Sequence, residues 1–305
     1  MPTLQVGTRI AIKNILFATD FSLAADNALR YAGELSRRSK AKLYAVHVQD
    51  APNYALPPES WRSVAEASEI QARELREKLA TAFPEIESEV LIGEGKTWQV
   101  LASLVPEMKI DLIVMGTRGR TGLKKFFLGS EAEEILRHAP CPVLVAGPYS
   151  YWCEGGGKKL SELLYATDFG PDAEEAAGYA FSVAEDYQGH LTLLHVIEPA
   201  RADELVNASQ LQAASERKLR DLAPRESGSF AAPDFLVEQG SAADKILEVA
   251  ERVHADLIVL GVREASGLPG AATHLPIAVV HKVIAEANCP VLAVHSGGKG
   301  AGATA

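Results

Sequence analysis

DLIVMGTRGRTGLKKFFLGS, residues 111–130, runs from an aspartate through a continuous apolar stretch into a glycine-rich, basic segment. Leu112 to Met115 do not alternate with polar residues, as expected of a parallel strand covered on both faces. The glycines that follow, with Ser130 opening an amphipathic stretch to His138, complete a strand–loop–helix unit. Its beginning recurs as DLIVLG from Asp256, an offset of 145. ATDF at 18–21 returns at 166–169, His47-Val48 as His195-Val196, and CPVL from Cys141 as CPVL from Cys289, each at an offset of 148. Ordered anchors at a near-constant offset indicate duplication of a whole domain. The period exceeds the about 20–50 residues of a solenoid repeat and matches the about 100–200 of a domain.

Apolar strand-like runs alternate with helical stretches in each half. The first half reads as strands near 14–19, 42–48, 88–92, 112–115 and 143–146, with helices near 23–39, 63–82, 97–108 and 130–138. The second half reads as strands near 163–167, 191–197, 234–237, 257–260 and 291–294. Such alternation implies an α/β fold, a doubly wound parallel sheet with right-handed crossovers, in each half. The expected division is a domain at 1–147, a linker at 148–159 (PYSYWCEGGGKK), a second domain at 160–296 and a disordered tail at 297–305.

The net charge is −10, from 40 acidic and 30 basic residues. Acidity of this size argues against a general nucleic-acid binder, whose affinity comes from Lys and Arg on phosphates. No apolar run reaches the about 20 residues of a membrane span, and no signal peptide is expected at the start. The three cysteines show no CxxC or metal-ligand spacing, so a reduced, cytoplasmic setting is expected.

The chemistry concentrates in G-x2-G-x9-G-S, formed by Gly116, Gly119, Gly129 and Ser130. Glycines let backbone N–H groups approach a phosphate without an intervening Cβ. A helix opening at Ser130 adds its free N–H groups and positive dipole end. Arg118, Arg120, Lys124 and Lys125 place four positive charges within eight residues, which suits a polyphosphate. In a doubly wound sheet, ligands sit beyond the carboxyl ends of the strands, so Ala18, Thr19 and Asp20, ending the first strand, and Val48, ending the second, should meet this loop. Asp20 cannot favourably face phosphate and is expected to meet adenine or ribose donors.

Plainer roles compete for the same residues. Ser130 also fits a helix N-cap, with Glu133 completing a capping box. Asp20 also fits a cap for the helix that follows it, and its recurrence as Asp168 points to a structural role for both. Asp111 and Asp256 stand at strand starts, away from the ligand edge, and read as structural. His274 and His281 could share a helix face, where a solvated or capping role outweighs a metal site. No Walker pattern, HEXXH or GxSxG elbow is present, and GEG at 93–95 lacks the final glycine of GxGxxG because Trp98 stands there. No catalytic residue and no metal ligand is assigned.

Taken together, ATDF, His47-Val48, MGTRG, the full glycine pattern and the closing CPVLV resemble a tandem universal stress protein, two such domains covering nearly the whole chain. The resemblance implies five-stranded parallel sheets of order 3-2-1-4-5, ATP (with Mg) at the carboxyl edge, and pairing of domains through the last strand. It implies that Asp20 and Val48 contact adenine and the ribose side. Gly116, Gly119, Gly129 and Ser130 would hold ribose and phosphates, and Met115 would line the pocket.

The second half departs from the pattern. Gly119 falls on Glu264 at the offset of 145, and Gly129 and Ser130 fall on Ile277 and Ala278 at 148. One ATP is therefore expected per chain, in the first domain. The leading function is an ATP-binding stress-response regulator whose nucleotide state alters domain pairing or contacts with unidentified protein partners. A slow ATPase or phosphotransferase and a nucleotide-free interaction scaffold are the alternatives. A homodimer is expected from the commonness of two-fold assemblies.

Overall fold

The computed structural model describes residues 10–49, 58–117, 128–150, 160–170, 173–198, 208–224, 231–262 and 277–295. The expected tail, and the expected linker beyond Ser150, lie outside them. Two compact units divide the chain. The first contains β1 (Asn14–Thr19), α1 (Leu23–Ser39), β2 (Lys42–Gln49), α2 (Pro58–Ala82), β3 (Ser88–Glu94), α3 (Thr97–Glu107), β4 (Leu112–Gly116), α4 (Ser130–His138) and β5 (Val143–Ala146). The second contains β6 (Glu162–Ala166), α5 (Ala173–Tyr187), β7 (His190–Ile197), α6 (Ala208–Leu222), β8 (Asp234–Gln239), α7 (Ala242–Arg252), β9 (Leu257–Val262), α8 (Ile277–Glu286) and β10 (Val291–His295).

Within the first unit the strands lie in the order β3-β2-β1-β4-β5, all parallel. The second unit repeats this as β8-β7-β6-β9-β10, also parallel. Both are therefore doubly wound sheets of order 3-2-1-4-5. The chain leaves β1 toward β2 and leaves β4 toward β5 in the opposite direction, so strand order reverses between β1 and β4. The continuous apolar runs are buried as their composition requires: Ile15, Leu16, Ile113, Val114, Val143 and Val145 are at most 1% exposed, and their counterparts Leu163, Leu164, Ile258 and Val259 are likewise.

The amino edge of each sheet is fastened by the repeated aspartate. Asp111 Oδ2 accepts from the backbone N–H of Lys13 at 2.8 Å and of Asn14 at 3.0 Å. Asp256 Oδ2 accepts from the N–H of Ser161 and Glu162 at 3.0 and 3.1 Å, and from the Ser161 hydroxyl at 3.0 Å. Each carboxylate satisfies the first donors of the central strand from the start of its neighbour. That is the structural role expected of these two residues.

Candidate functional site

At the carboxyl edge, β1 turns sharply into α1. Thr19 Oγ1 accepts from the Phe21 N–H at 3.0 Å, and Asp20 Oδ1 accepts from the Ser22 N–H at 3.1 Å. Phe21 takes φ 61°, a conformation that costs a bulky L-residue about 1–3 kcal/mol. Its ring meets the His47 ring edge-on, 4.7 Å between centroids. His47 Nδ1–H donates to the Thr19 carbonyl at 2.7 Å, tying β2 to β1 and leaving Nε2 as the ring's acceptor. The helix cap here is Ser22, whose hydroxyl accepts from the Ala25 N–H, so Asp20 holds the turn rather than capping α1.

The second unit repeats this turn closely. Thr167 Oγ1 accepts from Phe169, Asp168 Oδ1 accepts from Gly170, and Phe169 has φ 62°. His195 donates to the Thr167 carbonyl at 2.8 Å and lies tilted against the Phe169 ring, 4.3 Å between centroids. Burial pushes the His195 imidazole below its usual value; the Thr167 carbonyl opposes this, and Lys218, which also lies over the Phe169 ring, adds to it. ATDF and HV are therefore a folding device of both halves, and they alone do not make a ligand site.

Beyond the strand reversal of the first unit lies a cavity of about 570 Å³, a size ordinary for a small-molecule site. Ala18, Thr19, Asp20, Val48, Met115, Gly116, Gly129 and Ser130 all line it. Register explains the convergence: Ala18 pairs with Val46 on one side and Met115 on the other. Arg118, Gly119 and Arg120, with Lys124 and Lys125, lie outside the described residues, as does Glu264 of the second half.

Gly116 and Gly129 differ in why they are glycine. A Cβ at Gly116 would stand 2.7 Å from the Ala24 backbone carbon and 2.8 Å from its oxygen, so the close approach of α1 demands glycine there. Gly129 has φ −62° and ψ 148°, open to any residue, and among the described residues its Cβ would meet only the Thr117 carbonyl, at 3.5 Å. Packing therefore does not require a glycine at 129, whereas room in the cavity would.

Gly129, not Ser130, is the N-cap of α4, and Ser130 is its first helical residue. The capping box expected from Ser130 and Glu133 does not form, and Glu133 pairs with Arg137 at 2.7 Å instead. Gly129 has no side chain with which to cap this helix start, which leaves its first N–H groups, beside the cavity, to other acceptors. The N-cap residue of α3 likewise makes no side-chain cap bond, and the first residue of that helix, Thr97, also lines the cavity. Beside them stands Thr117, 2% exposed, with a buried hydroxyl that has no hydrogen-bond partner among the described residues. An unmet buried hydroxyl costs about 1–3 kcal/mol, and a polar ligand in the cavity would supply its partner.

Sequence reasoning did not assign Thr117, Thr97, His47, Gln49 or Gln71 to the site, yet all five line the cavity. Thr117 and His47 stand inside motifs already recognised, and Gln49 directly follows Val48. Gln71 lies mid-helix on α2 and carries no sequence signal. In the second unit, the N–H of Ala242, the counterpart of Thr97 at the offset of 145, donates to Glu198 Oε1 at 2.8 Å. That helix start already has an acceptor of its own. His274 lies outside the described residues, and no cluster of three metal-ligating side chains occurs among those described. No helix among them is long and apolar enough to cross a membrane.

Comparison with known proteins accords with this geometry. The model of the universal stress protein family matches twice, over residues 11–147 and 160–295. A universal stress protein of Methanocaldococcus jannaschii is 36% identical over 139 residues, covering 44% of this chain and 81% of that protein. A putative universal stress protein of Staphylococcus aureus (strain USA300) is 36% identical over 141 residues, covering 45% and 84%. Among solved structures, a universal stress protein from Archaeoglobus fulgidus aligns over 93% of this chain and 98% of its own, with a TM-score of 0.65 at 21% identity. At that identity the likeness is one of fold.

Proposed function

The chain belongs to the universal stress protein family, carrying two of its domains in tandem, and from that premise we propose that it is a stress-response regulator that binds one ATP, in its first domain. The observation that carries the reading is the cavity at the strand reversal. It gathers the described glycines of G-x2-G-x9-G-S, a helix start whose N-cap is a glycine, and the Thr117 hydroxyl, which has no partner among the described residues. Helix N-termini and bare backbone N–H groups favour anions, so the phosphates belong at α4. Asp20 and Val48 then face the base and ribose. Glu131, on the lining and in the first turn of α4, is the carboxylate available to a magnesium ion accompanying the triphosphate, which would offset phosphate charge.

One feature supports leaving the second domain out. Ile277 and Ala278 open α8 where Gly129 and Ser130 stand in the first domain. Titration of the full chain with ATP by calorimetry tests the proposal. One equivalent is expected, lost on Gly129→Ile; two equivalents, or none, would overturn it. Regulation is favoured over hydrolysis because one oxygen of Asp20 is already committed to the Ser22 turn. Phosphate release that vanishes in Asp20→Ala would reverse that preference. Nucleotide-dependent homodimerisation in the cytoplasm completes the proposal, and light scattering with and without ATP reads it.

A further inference from the structure

Opposite the start of α4, the cavity has a polar wall outside the glycine pattern. Gln49, at the end of β2, and Gln71, on α2, both line it. Gln49 Nε2–H donates to Gln71 Oε1, and the Ser68 hydroxyl donates to Gln49 Oε1 at 3.1 Å. Because a hydroxyl both donates and accepts, the Ser68–Gln49–Gln71 chain is satisfied with the Gln49 amide in either orientation. In both orientations Gln71 keeps at least one N–H donor and at least one lone pair on Oε1.

An amide that offers a donor and an acceptor side by side matches the adenine edge, where the N6 amino group donates and N7 accepts. On guanine the same positions, O6 and N7, are both acceptors, so the amide oxygen would meet an acceptor. The sheet sets the distance. β2 and β4 flank β1, which separates Gln49's strand from Thr117's by two strand spacings, about 10 Å. Phosphates at α4 leave the far end of a nucleotide toward β2 and this pair. Resting on the nucleotide reading of this cavity, we propose that Gln71, positioned by Gln49 and Ser68, reads the base and favours adenine over guanine.

The test titrates the full chain with ATP, GTP and inorganic tripolyphosphate, as wild type, Gln71→Leu and the closer isostere Gln71→Met. Wild type is expected to prefer ATP over GTP by between about fivefold and a hundredfold, the range of one bidentate amide–base pair. Both variants should reduce that ratio to within about threefold while tripolyphosphate affinity stays unchanged. ATP binding with an unchanged ATP-to-GTP ratio in both variants overturns the assignment of Gln71 and leaves the nucleotide reading standing. Equal wild-type affinity for ATP and GTP does the same. Wild type that takes up neither nucleotide overturns both.

Discussion

Replacing Gly129 by alanine separates ligand chemistry from folding. The backbone at 129 has φ −62° and ψ 148°, and among the described residues the added methyl meets one atom, the Thr117 carbonyl oxygen, at 3.5 Å. Neither strain nor collision follows. The folding cost is the poorer N-cap character of alanine, about 0.5–1 kcal/mol, or roughly 2–4 °C in Tm for a domain of this size. The same methyl occupies space where a phosphate would approach the first N–H groups of α4. Losing one charge-assisted hydrogen bond there costs about 1.5–3 kcal/mol, a 10- to 150-fold rise in Kd at about 1.4 kcal/mol per decade. Calorimetry with ATP gives the Kd and a thermal melt without ligand gives the Tm. An ATP Kd within twofold of wild type would refute the reasoning, because the room left at Gly129 would then serve no ligand. A collapse of Tm would refute the other half, that packing tolerates a side chain there.

Gly116→Ala should show the reverse balance. Its Cβ would press to 2.7 Å on the α1 backbone, so overpacking should cost about 1–3 kcal/mol, read as a lower urea midpoint with or without nucleotide. Asp111→Ala removes the acceptor for the Lys13 and Asn14 N–H groups and should cost about 1–3 kcal/mol in the same assay, without changing the ATP-to-GTP ratio. His195 has its folded-state pKa lowered by burial below the usual 6.5. The unfolded chain thus binds the proton more readily, so this contribution is fully present above 6.5 and is lost as pH falls toward the folded value. His195→Gln should flatten the fall in Tm on acidification through that window. Burial and the Asp111 charge push the Cys141 thiol up to about 12, so its alkylation at pH 8 should proceed only as fast as the chain unfolds, as followed by mass spectrometry.

Strands were legible wherever burial on both faces left no choice of residue. LIVM at 112–115 and VLVA at 143–146 are continuous apolar runs, and both lie within observed strands. The order 3-2-1-4-5 came from the resemblance, because periodicity along one strand carries no information about its neighbours. The two glycines of the site read alike in sequence and differ in space. One is required by a helix lying against it, and the other leaves a cavity open. Ser130 opens α4 as its place before an amphipathic stretch suggests, while the cap role it also fits, a local preference, falls one residue earlier on Gly129. Gln71 was invisible: a half-buried glutamine on a long helix gains meaning only once β2 brings Gln49 beside it.

The carboxylate fastening at the amino edge has an evolutionary consequence. Asp111 and Asp256 lock the central strands at the end remote from the cavity, through contacts 94–98 residues apart in sequence. Mutations at the opposite edge can therefore accumulate without loosening the frame. The second half bears this out, having exchanged Gly129 and Ser130 for Ile277 and Ala278 while keeping strand order and register. A gene duplication on such a scaffold yields one copy free to drift toward a new specificity, with selection on folding confined largely to the other end of the strands.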